Sequence, residues 1–341
     1  MLAPFFTRSR HDRAPKSVGW LRPRFNGPSL ARMLRSVDPR VLAFHAAYEL
    51  RLRLQRPLPG PPRLFPTALY LETSSYCRGA CADCYVPAVD RARHVHLDVA
   101  VLDRVLAAAT RLPLAYVCIV GGEPLDPSIL ETNLRLVRDH PRTRFLICTS
   151  GEPGIGPELE REFARLRNLS LLFSFDGLAA THDAIRPRTS FERAYASLEA
   201  YGRSSGNLCG ASITLRAENW QETTSRAFID PLSEAGCHYF AYAPCETGSG
   251  PALRPEQQSQ ALARLAELSA SSSALIFAQP QGQLLGRKIL PARRLYTLVV
   301  DYEGNVYTSR RGPQFGNVHD ADLTALLSQP ALQASYGALA T

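Results

Sequence analysis

From Thr67 onward, short apolar runs alternate with stretches of helical period, and this alternation limits the fold more than any other feature of the 341-residue chain. The strand-like runs are Ala68–Thr73, Ala115–Val120, Arg144–Thr149, Leu169–Phe175, Leu208–Leu215 and Tyr239–Ala243. Helix-like stretches lie between them at Leu97–Arg111, Pro127–Asp139, Gly156–Arg167, Ser190–Tyr201 and Glu222–Ala235, and a sixth follows at Pro255–Ser269. Strands that alternate with helices form a parallel sheet, because each right-handed crossover returns the chain to the same sheet edge in the same direction. The expectation is an α/β fold in which six such units curve into a partial (β/α)6 TIM-like barrel. Chemistry in such barrels gathers at the C-terminal ends of the strands. After the sixth helix the pattern changes: Leu295–Asp301 and Asn305–Ser309 flank Tyr302-Glu303-Gly304, a β-hairpin signal, and Asp320–Leu327 has helical spacing. Three regions follow: an N-terminal extension and linker (1–66), the barrel (67–275) and a small α+β appendage (276–341).

A hydrophobic content of 45% supplies a core and excludes a wholly disordered chain. No run of about 18 apolar residues marks a membrane-spanning helix. Eight cysteines in 341 residues are too few for a secreted disulfide scaffold. The net charge of +8 is unevenly placed: residues 1–66 hold 13 basic and three acidic side chains, so the remainder is close to neutral. The start of the chain has no uninterrupted apolar segment of the secretory kind, and its arginines give only a passing likeness to a transit peptide. A cytoplasmic protein is expected. Ser29–Arg56 reads as helical, and Pro57–Pro66 reads as a stiff connector. A helix packed on the outside of the barrel, its arginines in water, accounts for the basic segment better than a lipid-binding role. No nucleic-acid-binding motif is present.

The first strand is followed by Cys77-Arg-Gly-Ala-Cys81-Ala-Asp-Cys84. Three thiolates on one loop can ligate three irons of a [4Fe–4S] cluster and leave the fourth iron open to a substrate or cofactor. A zinc site is the competing reading. It requires a fourth ligand, which His94 or His96 could supply.

The second strand ends in Gly121-Gly122-Glu123-Pro124 and the fourth in Ser174-Phe175-Asp176-Gly177. With the cysteine triad in this order, the chain over about residues 67–245 resembles the radical S-adenosylmethionine (SAM) enzymes. The resemblance implies a [4Fe–4S] cluster on Cys77, Cys81 and Cys84 that binds SAM at its open iron. It also implies reductive cleavage of SAM to a 5′-deoxyadenosyl radical, which takes hydrogen from carbon, and a flavodoxin- or ferredoxin-like electron donor. By the same analogy Gly121, Gly122 and Glu123 would meet the methionine amino group. Ser174 would reach the carboxylate or ribose, and Arg216 would pair with the carboxylate. The sequence departs from the family pattern at Arg78, Asp83 and Ser150. Tyr85 could stand in near the adenine for the aromatic residue commonly found at position 83.

The segment 298–318 is similar to the start of a SPASM-type extension, but no cysteine follows Cys245. An auxiliary cluster would therefore lack its ligands, and the tail reads as a cluster-free cover for the barrel mouth. That favours epimerisation, rearrangement or radical addition and cross-linking over net dehydrogenation. Cys118, Cys148 and Cys209 lie inside strand-like runs and read as small buried hydrophobes, and Cys237 reads as structural. Cys245, at the catalytic end of the sixth strand, is a candidate hydrogen donor to a substrate radical. The substrate is expected to be a ribosomal peptide precursor or a specialised small metabolite. The alternative is a non-catalytic iron–sulfur or zinc scaffold, against which the Gly121–Pro124 run argues.

Overall fold

The computed structural model describes residues 66, 68–79, 81, 84–112, 114–187, 190–245, 251–272, 274–278, 297–310 and 312–340. The basic extension, the helix expected within it and the linker as far as residue 65 lie outside the described residues, as does Asp83.

One ten-stranded sheet organises the chain. Its strands are β1 (Ala68–Ser74), β2 (Tyr116–Gly121), β3 (Phe145–Thr149), β4 (Leu169–Ser174), β5 (Cys209–Leu215), β6 (Tyr239–Pro244), β7 (Leu275–Ala278), β8 (Thr297–Val300), β9 (Asn305–Tyr307) and β10 (Gln314–Asn317). The spatial order is β10-β9-β8-β1-β2-β3-β4-β5-β6-β7, so the sheet is open. Every neighbouring pair from β8 to β7 is parallel, while β8–β9 and β9–β10 are antiparallel. All six expected strands are present, and a seventh, β7, continues the parallel series on β6. Its four residues are too short a run to show a period.

The helices between strands are α1 (Ala88–Arg93), α2 (Val99–Ala109), α3 (Pro127–Asp139), α4 (Pro157–Arg165), α5 (Ala179–Ile185), α6 (Ser190–Ser204), α7 (Trp220–Thr223), α8 (Arg226–Glu234) and α9 (Pro255–Ser271). Two more, α10 (Leu323–Leu327) and α11 (Pro330–Ala340), close the chain. Local chemistry sets several starts. Asp98 accepts a hydrogen bond from the Ala100 N–H at 2.8 Å ahead of α2, and Asp126 accepts one from the Ser128 N–H at 3.0 Å ahead of α3. Pro127 opens α3 where its missing N–H costs nothing.

Alternation along the strands assigns the two faces. Leu69, Leu71, Val117, Ile119, Phe145, Ile147, Leu171, Phe173, Ala211, Ile213 and Phe240 belong to the core shared with Leu102, Leu106, Leu134, Val137, Phe163, Leu198 and Phe228 of the helices. At about 25 cal/mol per Å² of apolar surface removed from water, this helix-covered face is the main source of stability. The opposite parity forms the inner face: Tyr70, Glu72, Cys118, Cys148, Ser174, Ser212, Thr214, Ala241 and Ala243. Apart from buried Glu72 and Cys118, these residues are half-buried, and most are small or polar. Among the described residues, no helix is long and apolar enough to cross a membrane.

The tail joins the sheet at its β1 edge, with Leu71 level with Val300. Because β8 runs parallel to β1, the β8–β9 turn comes to the C-terminal end of the barrel strands. There the Tyr302 hydroxyl donates to Asp90 at 2.8 Å, and Arg93 pairs with Glu303 at 3.2 Å, tying the turn to α1. At the position where the SPASM resemblance would put a cysteine, the Thr308 hydroxyl meets that of Ser335 at 2.9 Å.

Candidate cluster and cofactor site

The C-terminal ends of β1 and β2 bring the cysteine loop and the glycine pair together. The Gly122 N–H donates to the Ser74 carbonyl and the Glu123 N–H to the Tyr76 carbonyl, both at 2.7 Å. The contact leaves no room for a side chain. A Cβ on Gly122 would fall 1.8 Å from the Tyr76 oxygen, and one on Gly121 would fall 2.4 Å from the Ser74 oxygen. Gly121 also has φ +114°, a conformation that favours glycine. In this structure the glycine pair thus serves as the seat of the cysteine loop.

Glu123 joins the ends of β2 and β3. One carboxylate oxygen accepts from the Leu125 N–H (3.0 Å) and the Thr149 hydroxyl (2.6 Å). The other accepts from the Ser150 N–H (2.8 Å) and hydroxyl (2.6 Å). Burial pushes its pKa up, and the four donors pull against that rise. Ser150 is thus a working part of the site: its hydroxyl supplies one of the four bonds.

None of the eight cysteines is in a disulfide, and Cys77, Cys81 and Cys84 are half-buried on the loop. The Gly79 N–H donates to the Cys77 sulfur at 3.3 Å. A Cβ on Gly79 would lie 3.2 Å from the Cys77 sulfur and 3.7 Å from the Cys81 sulfur, so both thiols border the same space. Burial pushes the Cys77 thiol up to about 12 and raises that of Cys81, on which the Arg186 guanidinium pulls in the opposite direction. Three thiols on one loop, an N–H donor to sulfur and a nearby cation fit an anionic iron–sulfur cluster. A zinc site would need a fourth ligand beside the three thiols. His94 instead packs its ring 3.8 Å from that of Tyr76, and His96 bridges to Ser74.

The other expected residues take separate places. The Tyr85 hydroxyl accepts from the Gly121 N–H at 2.9 Å and lies 3.3 Å from the Gly121 carbonyl, with its ring half exposed. Ser174 is half-buried at the end of β4 beside Ser212. Arg216 is buried just past β5, where its N–H donates to the Asn219 side chain at 2.7 Å. Cys245 is buried just past β6, its N–H bonded to the Leu215 carbonyl at 2.8 Å.

Two groups of side chains escaped the sequence reading. Asp176 stands in the quoted fourth-strand run but received no role. It accepts from Arg186 at 2.7 Å and from the Thr214 N–H at 3.2 Å, and its own carbonyl accepts from Asn219 at 3.0 Å. It thereby ties β4 to β5 and aims the Arg186 cation toward the cysteines. The second group centres on Glu72, 1% exposed, which pairs with Arg310 of the tail at 3.0 Å. Arg310 also pairs with Asp301 at 3.2 Å and lies over the rings of Tyr302 and Tyr307. The other Glu72 oxygen is buried without a hydrogen-bond partner.

Burial pushes Glu72 up from 4.5 to about 7; Arg310 opposes the shift and Asp301 adds to it. A carboxyl raised in the folded state binds its proton more tightly there. Its contribution is therefore fully present below about pH 4.5 and is lost as pH rises through about 7. The shift corresponds to about 3 kcal/mol. Glu72→Gln should flatten the fall in melting temperature between about pH 5 and pH 8 relative to the parent protein. Parallel melting curves across that range would refute the assignment.

Comparison with known proteins agrees with this architecture. The family model described as the radical SAM superfamily matches residues 71–227, from β1 into α8. No curated protein matches in sequence. Among solved structures, SuiB from Streptococcus suis aligns with TM-score 0.62 at 13% identity, covering 81% of this chain and 68% of that one. SuiB bound to precursor peptide SuiA aligns with TM-score 0.61 at 14% identity, covering 88% and 70%. Histidine-tagged anSMEcpe with bound AdoMet aligns with TM-score 0.61 at 14% identity, covering 81% of each chain. At such identities these likenesses speak for the fold. Members of the matched family use a [4Fe–4S] cluster and SAM, the groups that the loop and its surroundings suit. Residues 71–227 of the chain thus match the radical SAM superfamily as a domain.

Proposed function

We propose that the protein cleaves SAM reductively and takes a hydrogen atom from a carbon of its substrate. The observation that carries this reading is the seating of the three-cysteine loop on Gly121–Glu123 by two 2.7 Å backbone hydrogen bonds. A scaffold that only stored a cluster would need the cysteines, but not a second motif closing on them at the strand ends. When bound, the cluster and SAM supply an electron and a 5′-deoxyadenosyl radical; the protein supplies position and shelter. Cys77, Cys81 and Cys84 would hold the iron. Gly121, Gly122 and Glu123, seated against the cysteine loop, would lie beside the methionine amino group of SAM. Ser174 and Arg216, at the ends of β4 and β5, would serve its carboxylate or ribose, and Tyr85 would border the adenine.

The half-buried inner face would receive the substrate. A ribosomal peptide precursor is the favoured class, in line with the peptide-bound SuiB and anSMEcpe structures. A small specialised metabolite is the other class. A flavodoxin- or ferredoxin-like protein would deliver the electron in the cytoplasm. Cys245, on the same rim, is proposed as the donor that returns hydrogen to the substrate radical, giving an epimerised or rearranged product. The tail, SPASM-like in outline but without cysteines, would hold the rim.

Anaerobic reconstitution tests the reading. One cluster predicts about four irons per chain, whereas about eight would require an auxiliary cluster and overturn the view of the tail. Reduction with SAM should yield 5′-deoxyadenosine, and a loaded protein that yields none would be a scaffold. In heavy water, solvent deuterium should enter the product and vanish from it in Cys245→Ala. Equal labelling in both proteins would exclude Cys245.

A further inference from the structure

The inner face holds a pair of thiols outside the site described above. Cys118 in the middle of β2 and Cys148 near the end of β3 both point inward, and their sulfurs lie 3.6 Å apart in a thiol–thiol hydrogen bond. Cys118 precedes Gly121 by three residues, which places the pair about 10 Å below the cysteine loop's seat at about 3.3 Å per strand residue. Cys118 is buried and Cys148 is half-buried. Half-buried Ser174, Ser212, Thr214, Ala241 and Ala243 share this face with Cys148.

We propose that Cys118 and Cys148 form a redox-active dithiol that closes reversibly to an intramolecular disulfide by exchange with a small-molecule disulfide of the glutathione type. In the first step the Cys148 thiolate attacks one sulfur of glutathione disulfide. That S–S bond breaks, a Cys148–glutathione mixed disulfide forms, and one glutathione leaves as thiolate. In the second step the Cys118 sulfur gives its proton to solvent and attacks the Cys148 sulfur, and the second glutathione leaves. The protein dithiol loses two electrons, and glutathione disulfide gains them as two glutathiones.

Exposure fixes the order of attack, and the 3.6 Å separation fixes the partner. The hydrogen bond to Cys148 and burial both push the Cys118 thiol up, which slows its own attack and leaves the first step to the more exposed Cys148. Cys118 is level with Leu146, so Cys148 lies one diagonal step along β3, and the two side chains lean toward each other across that step. Closure would replace two polarisable S–H groups on the inner face by a shorter bridge with no donor. Cys209 and Cys237, the other strand-associated cysteines, are buried in the helix-covered core and have no part in this.

The test uses the cluster-loaded protein, held anaerobically in glutathione buffers from fully reduced to fully oxidised. Thiols are then blocked with N-ethylmaleimide, and peptides are mapped without reduction. The expected result is a linked pair of peptides carrying Cys118 and Cys148, lighter by two hydrogens, in more than half of the chains at the oxidised end. Dithiothreitol should reverse it, with iron content unchanged. Cys118→Ser should stop at one glutathione on Cys148, and Cys148→Ser should leave Cys118 unmodified. The inference is overturned if the parent protein keeps a single glutathione on Cys148, or if both thiols are alkylated at every buffer ratio. Should either serine variant fail to fold, the peptide map of the parent protein decides alone. The outcome does not depend on SAM cleavage: linkage without 5′-deoxyadenosine would sink the proposed function and leave the dithiol standing.

Discussion

Cys81→Ala is expected to abolish cluster retention and reduce 5′-deoxyadenosine formation at least about a hundredfold, to the level of protein without iron. The loop offers three thiols, and an iron–sulfur cube with an open iron needs all three. Cys81 is the middle one, sharing the space over Gly79 with Cys77, so its loss leaves the cluster two thiols where it needs three. The fold should survive. Cys81 is half-buried, belongs to no strand or helix, and contributes nothing to the main core. A change outside such features stays within about 0.5 kcal/mol. The measurements are iron and sulfide content, the electron paramagnetic resonance signal after reduction, and chromatography of SAM-derived products. Thermal unfolding of the metal-free proteins is the control. A variant that keeps four irons would move the ligand set elsewhere.

Gly122→Ala adds one methyl group and is expected to cost nearly as much. That carbon would sit 1.8 Å from the Tyr76 oxygen, 2.4 Å from the Tyr76 carbonyl carbon and 2.8 Å from that of Ser75, all of them backbone atoms. No rotamer change relieves such a clash. The cysteine loop must lift, and the hydrogen bonds from Gly122 to Ser74 and from Glu123 to Tyr76 break with it. The expected loss is about 2–4 kcal/mol of stability, in the range reached when a packed backbone contact is forced apart. A tenfold or greater fall in iron retention and SAM cleavage should accompany it. Gly156→Ala is the matched control: nothing lies within 4 Å of a Cβ there, and it should unfold within about 1 kcal/mol of the parent protein. If the two variants behave alike, the contact between glycine and loop does not hold the site.

Much of the fold was legible because strands and helices announce themselves by period. The helix Pro127–Asp139 begins and ends where its proline, its cap and its apolar spacing place it. What escaped was short or sparse. Strand β7 has four residues, α1 buries none of its side chains, and β10 contains a single buried residue, so none has a pattern to read. The site divides in the same way. Local spacing exposes the cysteine triad, and a glycine pair at a strand end is conspicuous. The partners of Asp176 and Glu72 are not, because Arg186 and Arg310 look like any of the chain's many arginines until the fold brings them into place.

The sequence by itself determined the parallel α/β architecture, the three-thiol loop and its place after the first strand, since each depends on neighbours a few residues apart. Only the tertiary structure decided which groups meet across the sheet. It seats the cysteine loop on Gly121 and Gly122, gives Glu123 four donors from β3 and its own turn, and lays Arg310 against Glu72. It also turns Cys118 and Cys148, two ordinary strand cysteines thirty residues apart, into a pair 3.6 Å apart. The physical reason is parity and register: a strand's sequence says which side chains share a face, but only pairing with its neighbour says what lies opposite.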